Sequence, residues 1–543
     1  MTLPIPTAPP TPDSSDPEAT FDAMYQARMD WEKGSLAPGL NEAVSIVNAA
    51  VNAAVPAAVA SAAAAQSAAA SAIATSGVAN WASGTYADGA RARSTVDMQV
   101  YQKIGTGSST ADPSVGAAAN PPTWRLAGLD IATGMPSAGR ALTLDFLAGA
   151  PSMLGTAYQC TGGGTRVNEA GLIEPAPANV PRFDHSPVSR ACLGLLMETT
   201  STNLIVRCRD FTQAAWTKTR CTVSTGTVLA PDGSAAQKLV EDTSNNTHSV
   251  TQTVAAASNT WVSRSIYARA AERTQIQLHL SNGVNFSITA VFDLNTGAVL
   301  VAPTDNADFS GSLAYAEEAG NGWWRLVLIA FKNAVNTTVR PYTFMMSGGA
   351  ASYAGDGTSG VYVWGDQLEL LPFPTSLILT GSTTASRGAE SVSLPLGFAT
   401  DRATLLADVT LHQRGTGAVA ASDNVLLSDA SNASNLQLRT LRTGAGVSID
   451  ATASVAGVGT LDAPDDRFVV PGERIVHAVS AGRGAVAYAR NGSLIQSAGM
   501  PAAAAATKTL LIGGTGVQAM RVRGIAVWAD TLPTVHLIAA TAI

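Results

Sequence analysis

The sequence predicts a mainly β protein: an N-terminal α-helical oligomerisation stalk, then a small β module and two antiparallel β-sandwiches. Only 13% of the 543 residues are charged, against about 25% in typical globular domains. Such low charge, with abundant Ala, Gly, Ser and Thr, favours β-rich extracellular or virion proteins. Short apolar runs separated by turns fill residues 201–543, which is typical of sandwiches. At about 150 residues per domain, the length predicts three or four folded units.

For residues 1–40 the sequence predicts an extended arm followed by a short helix. We expect this segment to attach the chain to a neighbouring protein. Prolines disfavour helix within 1–17. Residues 18–33 combine apolar anchors with charged residues, and Gly34 ends the helix. The segment lacks the basic and apolar stretches of a secretory signal peptide. We therefore expect assembly in the cytoplasm.

Residues 41–79 predict an Ala-rich helical stalk. No charge lies between Glu42 and Asp88, and 13 alanines fall within 53–72; alanine is the best helix former. Valines spaced three or four residues apart form one apolar stripe, although Pro56 breaks or kinks the helix. We predict self-association as a coiled coil, with a homotrimer preferred. Membrane insertion is the alternative, which interspersed polar residues and missing flanking anchors disfavour.

Beyond the stalk the chain divides into four β-rich segments. Gly/Pro-rich stretches and Asn-Gly turns separate the apolar runs and set the boundaries. The segments are a small β module at 80–127, an irregular linker with wrapping strands at 128–200, a sandwich at 201–395 and a second sandwich at 396–543. A module of about 45 residues is near the lower limit for an independent core, so we expect its neighbours to support it.

Charge and cysteine content argue against several classes of partner. The net charge is −7 and no long basic run occurs, whereas nucleic-acid binding needs a clustered positive face. Nucleic acid and anionic lipid are therefore not expected partners. Four cysteines, Cys160, Cys192, Cys208 and Cys221, lack the spacing of a zinc site. In a protein assembled in the cytoplasm they predict free thiols, with a Cys208–Cys221 disulfide left open.

Patterns for catalysis and metal binding are weak. The six histidines are scattered, and the adjacent Glu317 and Glu318 diverge in a strand instead of flanking a glycosidic bond. The sequence therefore predicts no catalytic residue and no cofactor. One exception is an oxygen-rich loop at Asp305, Asn306 and Asp308, which has the ligand types of a structural Ca²⁺ site. Such Asx-rich stretches are mostly turns.

The small module resembles a known family of sugar-binding modules. The stretch Trp81–Gly89, together with Tyr101 and Trp124, is similar to the chitin-binding-type modules of phage tail proteins and chitinases. In that family, exposed aromatic rings stack on sugars, and the matching positions here are Trp81, Tyr86 and Trp124. This sequence departs from the family by placing Ala90 after the glycine, where valine is usual.

A longer order of motifs resembles a tail-fibre region common in phages and prophages. The motifs are Pro181-Arg182-Phe183-Asp184, Gly194-Leu195-Leu196, Thr202-Asn203-Leu204, Val363-Trp364-Gly365-Asp366-Gln367-Leu368-Glu369 and Ser386-Arg387. The middle of this region resembles jelly-roll carbohydrate-binding modules. The last segment, with Tyr488-Ala489-Arg490-Asn491-Gly492 and Gly524-Ile525-Ala526-Val527-Trp528, is similar to concanavalin-like sandwich domains.

Together these resemblances imply a bacteriophage tail fibre or receptor-binding protein, located in the virion tail. Its expected partners are other tail or baseplate proteins, bound through the N-terminus, and a bacterial surface glycan, bound by aromatic stacking and multivalency. Adjacent Trp323 and Trp324 point to opposite faces of a strand, so one of them is a further candidate for sugar contact. The alternatives are a tail-borne polysaccharide depolymerase, either a glycoside hydrolase or a lyase, and a purely structural tail component.

Overall fold

Antiparallel strands make up most of the described chain, and its helices are short. The computed structural model describes residues 81–541 apart from 88–89, 94, 96–99, 104–105, 114–123, 127–139, 148–153, 334–336, 412–418, 431–433, 444–445, 456–457, 465–471, 483, 500–504 and 514–518. The predicted arm, short helix and Ala-rich stalk lie outside the described residues. Within the described ranges, no helix is long and apolar enough to cross a membrane. A mainly β fold is confirmed for this part of the chain.

The small module is built from five short strands. They are β1 (Gly84–Tyr86), β2 (Arg91–Arg93), β3 (Val100–Lys103), β4 (Gly107–Ser109) and β5 (Trp124–Leu126). β1 pairs with β4, and β2, β3 and β5 form a second small sheet. Trp124 and Ala92 are buried between them, with Trp81 and Tyr86 packed against this pair. The aromatic residues of the module therefore supply most of its core.

The next segment, predicted as an irregular linker with wrapping strands over 128–200, contains several short strands and one helix. Its elements are β6 (Arg140–Asp145), helix α1 (Leu154–Ala157), β7 (Tyr158–Gln159), β8 (Gly164–Val167), β9 (Ile173–Ala176), β10 (Phe183–His185) and β11 (Cys192–Glu198), and β12 (Ser201–Asn203) follows directly after it. Leu195 of β11 pairs with Val522 near the C-terminus. Strands β6, β7, β10 and β11 therefore belong to the two sheets of the C-terminal sandwich, whereas β8 and β9 pair with each other. The segment looks irregular in the sequence because its strands are short and several of them pair with distant strands.

The middle sandwich follows. Its strands are β13 (Thr217–Thr219), β14 (Cys221–Leu229), β15 (Ala235–Glu241), β16 (Asn245–Thr247), β17 (Ser249–Thr251), β18 (Val254–Ala255), β19 (Thr260–Ala270), β20 (Gln275–Ser281), β21 (Ser287–Asp293), β22 (Val299–Val301), β23 (Phe309–Glu318), β24 (Trp324–Lys332), β25 (Thr338–Met346), β26 (Ser352–Ala354) and β27 (Gly360–Glu369). Sheet A has the order β13-β17-β25-β20-β21-β22, with β18 also paired to β25, and sheet B has the order β14-β15-β27-β19-β24-β23. Alternate apolar side chains fill the space between the sheets, as in Ile276, Leu278 and Leu280 of β20.

The C-terminal sandwich completes the chain. Its remaining elements are β28 (Ala385–Arg387), β29 (Ser391–Thr400), β30 (Ala403–Leu411), β31 (Val419–Ser428), β32 (Asn435–Thr443), β33 (Gly446–Val455), β34 (Val458–Pro464), β35 (Arg474–Gly482), β36 (Ala485–Arg490), β37 (Ser493–Gly499), β38 (Ala506–Gly513), β39 (Ala519–Trp528) and helix α2 (Thr534–Ala540). Sheet C has the order β10-β11-β39-β30-β35-β36-β37, with β6 also on β39, and sheet D has the order β34-β33-β32-β31-β38-β29-β7. Leu537 of α2 packs with Trp528 on the outer side of sheet C.

The middle sandwich is inserted into the C-terminal sandwich. The chain leaves sheet C after β11 and returns to sheet D at β29. The outgoing strand β12 and the returning strand β28 pair antiparallel, with Thr202 opposite Ser386. Both sandwiches lie within one compact unit, Asn80–Ile543. The insertion explains why one core draws on residues before 201 as well as after 390.

Buried charges join the two sandwiches at this crossing, in a cluster that we call the junction network: Arg182, Glu198, Glu369, Arg387 and Glu390. Arg182 donates to both Glu390 oxygens at 2.6 Å and to Glu198 at 2.7 Å, and Arg387 lies 3.0 Å from Glu198. Although burial opposes ionisation, Arg387 and Arg182 hold the pKa of Glu198 well below its usual range. Burial raises the pKa of Glu369. Arg182, Glu369 and Arg387 belong to the motifs by which the sequence resembles a tail-fibre region. In the structure these three residues have a structural role, since all of them are buried in the junction network.

A buried histidine makes the C-terminal sandwich sensitive to acid. His477 is fully buried, and neither ring nitrogen has a hydrogen-bond partner. Burial, followed by the charge of Arg490, lowers its pKa from 6.5 to about 3. Between pH 6.5 and 3, His477 is therefore protonated in the unfolded chain and neutral in the folded chain. His477 therefore does not reduce the free energy of unfolding above pH 6.5. Between pH 6.5 and 3 it lowers the free energy of unfolding by about 1.4 kcal/mol for each pH unit.

We accordingly expect the unfolding free energy to drop more steeply with acid in the natural protein than in a His477→Met variant. Methionine is chosen because its flexible apolar side chain fits an irregular core site. Urea unfolding at pH 7.5, 6 and 5 measures the slope for both proteins. Parallel slopes would contradict the assignment, whatever the variant's stability at pH 7.5.

Candidate functional site

The aromatic residues predicted to bind sugar in the small module are largely committed to its core. Trp124 is only 1% exposed, and its Nε1 donates to Ser109 Oγ at 3.1 Å. The Tyr86 ring meets Trp124 edge-on at 5.0 Å, and its hydroxyl donates to the Ala82 carbonyl at 2.6 Å. Trp81 is half-buried, with a buried Nε1 that lacks a partner. For Trp124 this differs from the predicted role, because a module this small needs the indole as core.

The adjacent tryptophans of the middle sandwich also have packing roles. Trp323 is 1% exposed and donates from Nε1 to the Leu229 carbonyl at 2.8 Å. Its predicted place on a sugar-binding surface is therefore not what the structure shows. Trp324 is half-buried against the sandwich core. One face of its ring lies on Gly297, where any Cβ atom would collide with it.

The loop predicted as a calcium site is a hydrogen-bonded turn. Asp305 accepts hydrogen bonds from the Gly311 and Ser312 amides at 2.8 and 2.9 Å. Asn306 Oδ1 accepts from the amides of Asp308 and Phe309 at 3.0 Å. Two of the three predicted ligands are thus used locally, and Ca²⁺ takes about six to eight oxygens. Across the described residues, no cluster of three or more His, Cys, Asp or Glu could hold a metal.

All four cysteines are free, so the Cys208–Cys221 disulfide is absent from the structure. Burial raises the pKa of both thiols, to about 11 for Cys221. A raised pKa keeps a thiol protonated and unreactive at neutral pH. These side chains therefore act as small apolar core residues.

Three ring side chains lie together on the outer face of sheet A, and we call them the ring row: His279, Tyr342 and Phe344. His279 of β20 is directly opposite Tyr342 of β25, and the next outward position on β25 is Phe344. The Tyr342 and Phe344 rings are parallel within 14°, with centroids 5.4 Å apart. His279 meets them edge-on at 5.5 and 5.7 Å. Each of the three is only half-buried.

The strand pattern explains why these rings face outward. Along β25, Val339, Thr343 and Met345 are buried, whereas Tyr342 and Phe344 alternate with them and stay half-buried. The same period of two operates on β20, where the leucines point inward. Two neighbouring strands in matching register therefore place three rings side by side.

Polar groups surround the ring row. Gln277 is opposite Phe344, and Thr289 lies across from His279, with Thr289 Oγ1 at 3.2 Å from His279 Nδ1. Burial, with a smaller contribution from Arg264, lowers the pKa of His279 to about 4. The imidazole is therefore neutral at pH 7, and a neutral imidazole both donates and accepts hydrogen bonds. A sugar-binding site needs aromatic rings that contact the apolar C–H surface of the sugar. It also needs uncharged hydrogen-bonding groups around those rings, and the ring row has both.

The sequence did not predict this row, because the row is completed by the register between two strands that are distant in the chain. The usable signal was the alternation Arg340, Tyr342, Phe344 in a strand whose intervening positions pack inward. His279 added no signal of its own, since its pairing with Tyr342 depends on sheet order. A strand with two outward rings separated by one residue is worth examining as a binding face.

Comparisons with known proteins give only distant likenesses. No family model matches the chain, and no curated protein matches it. Among solved structures, the CBM40 module of Ruminococcus gnavus IT-sialidase, bound to α2,3-sialyllactose, is 19% identical, with 27% of this chain and 84% of that chain covered at a TM-score of 0.21. Domain 4 of the Geobacillus stearothermophilus arabinanase AbnA, in complex with arabinotriose, is 13% identical, with 28% and 73% covered and a TM-score of 0.22. A pentraxin from Limulus polyphemus is 15% identical, with 28% and 72% covered and a TM-score of 0.22. With TM-scores this low, we conclude nothing about function from them.

Proposed function

We propose that this protein binds a glycan on the outer face of sheet A. The observation that carries the proposal is the ring row, in which His279, Tyr342 and Phe344 lie in mutual contact and half-exposed. Aromatic rings cover the C–H surface of a pyranose, and the Gln277 amide and the Thr289 hydroxyl are suited to its hydroxyl groups. The three rings, Gln277 and Thr289 therefore provide both the stacking surface and the hydrogen-bonding groups that this proposal needs.

Within this proposal, the protein is a non-enzymatic bacteriophage tail fibre or receptor-binding component that recognises a bacterial surface glycan. The order of motifs around the junction network supports it by resemblance. A single sugar site of this kind is weak, so self-association through 41–79, as a homotrimer, would supply avidity. The N-terminal arm would then attach the assembly to other tail or baseplate proteins, in a virion completed in the host cytoplasm.

The Tyr342→Ala substitution should weaken binding of the recognised glycan by about tenfold, equivalent to about 1.4 kcal/mol. The reason is the loss of one ring of stacking surface. A glycan array followed by calorimetry on the best hit provides the measurement. Tyr362→Ala is the matched control, since Tyr362 is an equally half-buried tyrosine on sheet B. Equal affinities for the natural protein and Tyr342→Ala would reject the ring row as the site.

Cleavage of the glycan is the alternative activity to test. Hydrolysis of a glycosidic bond uses two flanking carboxylates. The residues opposite the three rings in the register are Ser249, Thr251, Gln277 and Thr289, none of them acidic. We therefore propose binding without turnover. New reducing ends or unsaturated products after incubation with purified host polysaccharide would instead identify a depolymerase, and no glycan binding at all would favour a purely structural tail component.

A further inference from the structure

A cleft of about 390 Å³ lies between the two sandwiches, and we call it the inter-sandwich cleft. Tyr267, Glu317 and Arg325 of sheet B form one wall. Asp184 and Arg521, from the strands of sheet C, lie on the opposite wall. The cleft therefore exists only because the middle sandwich is inserted into the other one. It is separate from the ring row, which lies on sheet A.

Three polar side chains stand in one line across the sheet B wall. Tyr267 of β19 pairs with Arg325 of β24, and Arg325 pairs in turn with Glu317 of β23. Directly opposed residues of adjacent strands project to the same face. The neighbouring positions Ile266 and Leu326 point the other way, into the sandwich core. The fold thus fixes a Tyr–Arg–Glu row facing the cleft.

This row has unused hydrogen-bonding capacity. Arg325 Nη2 donates to Ser265 Oγ at 3.0 Å and to the Thr375 carbonyl. Arg325 Nη1, however, is 3.8 Å from Glu317 Oε2, which is too long for a hydrogen bond. Among the described residues, nothing accepts from Nη1 or bonds to the hydroxyl of Tyr267, although Tyr267 is only 6% exposed. Arg325 Nε is buried and has no hydrogen-bond partner either, which is uncommon for a buried polar atom.

The other two arginines that line the cleft, Arg521 and Arg166, are already paired with carboxylates. Arg521 binds Asp184 at 2.6 Å, and the Val167 amide donates to the other Asp184 oxygen at 2.8 Å. Arg166 binds Glu174 at 2.8 Å. No surplus positive charge remains for an anionic ligand, and the carboxylate of Glu317 would repel one. A neutral hydroxyl suits the gap, because it can accept from Arg325 Nη1 and donate to Glu317.

We propose that the inter-sandwich cleft binds one or two rings of a neutral saccharide, as a second site independent of the ring row. The volume is near the lower end of the range of about 300–1,000 Å³ for small-molecule pockets, which limits the ligand to this size. Tyr267, Arg325 and Glu317 contact the ligand hydroxyls. Uronic acids and sialic acids are excluded by Glu317 and the neighbouring Glu318.

Calorimetry and saturation-transfer NMR on the full chain test the proposal. The probes are D-glucose, D-galactose and N-acetyl-D-glucosamine, with D-glucuronate and D-galacturonate as charged counterparts. We expect at least one neutral sugar to bind the Tyr342→Ala protein, whose ring row is impaired. Tyr267→Phe and Glu317→Gln, made in that background, should each weaken this binding about tenfold. Tyr362→Phe is the control, and melting temperatures check that every variant folds.

Each outcome separates the two sites. The cleft proposal is overturned if no neutral probe binds the Tyr342→Ala protein, if Tyr267→Phe and Glu317→Gln leave binding unchanged, or if a uronate binds as tightly as its neutral parent. The ring-row proposal instead fails when Tyr342→Ala binds the array-selected glycan as the natural protein does. Either site can therefore fail without deciding the other.

Discussion

Replacing Arg182 with methionine is expected to lower the free energy of unfolding by about 3–5 kcal/mol, because it leaves the buried carboxylate of Glu390 without its cation. Arg182 is 1% exposed and donates to Glu390, Glu198, Ser376 Oγ and the Thr165 carbonyl. Glu390 is fully buried and would keep only uncharged donors after the change. Urea unfolding at pH 7.5, followed by tryptophan fluorescence, measures the loss.

Two further variants define the cause. Arg166→Met removes an arginine from a partly exposed pair with Glu174, for which we expect less than about 1 kcal/mol. Adding Glu390→Gln to Arg182→Met should recover part of the stability, since it removes an unpaired buried charge. If Arg182→Met were no more destabilising than Arg166→Met, the junction network would not be what holds this region together.

Gly194→Ala is the second change with a large expected effect. Gly194 has φ of +109°, a conformation that L side chains rarely adopt. A Cβ atom there would also collide with the Val522 carbonyl of β39. We expect a loss of about 3 kcal/mol or more, because strain and displacement of β39 add together. Thermal unfolding gives the size of the loss.

Hydrogen exchange locates the same effect. Amides of β11 and β39, which pair through Leu195 and Val522, should exchange faster in Gly194→Ala. Gly155→Ala is the matched control, because nothing lies within 4 Å of a Cβ at that helical position and alanine favours helix. Unchanged protection of β39 in Gly194→Ala would show that the strand tolerates the methyl group.

Local patterns in the sequence were sufficient for much of the fold. The Asn491-Gly492 turn was predicted from its residue types, and both residues have positive φ, at 46° and 77°, in a hairpin that pairs Arg490 with Ser493. The alternating apolar residues of β20 likewise predicted a strand of the middle sandwich. These signals are local, since a turn or a strand face is set by residues a few positions apart.

Long-range organisation was beyond such signals. The pairing of Leu195 with Val522 has no local signature, so the wrapping strands predicted before residue 201 were assigned to a linker and not to the C-terminal sandwich. The sugar-binding roles predicted for Trp124 and Trp323 differ from their buried positions in the structure for another reason. An indole suits a core and a sugar site equally well, and only the surrounding structure decides between them. The ring row was missed because it is completed by register between strands.

The inserted arrangement also orders events on the ribosome. β11 emerges early, but its partner β39 is synthesised more than 300 residues later; at roughly 5–20 residues per second, the wait lasts roughly 15–65 s. The middle sandwich can fold during that interval, while β6, β10 and β11 have open edges. Unpaired edges invite pairing between nascent chains. Recombinant yield should therefore depend on translation speed and holdase chaperones more than on the stability of the finished protein.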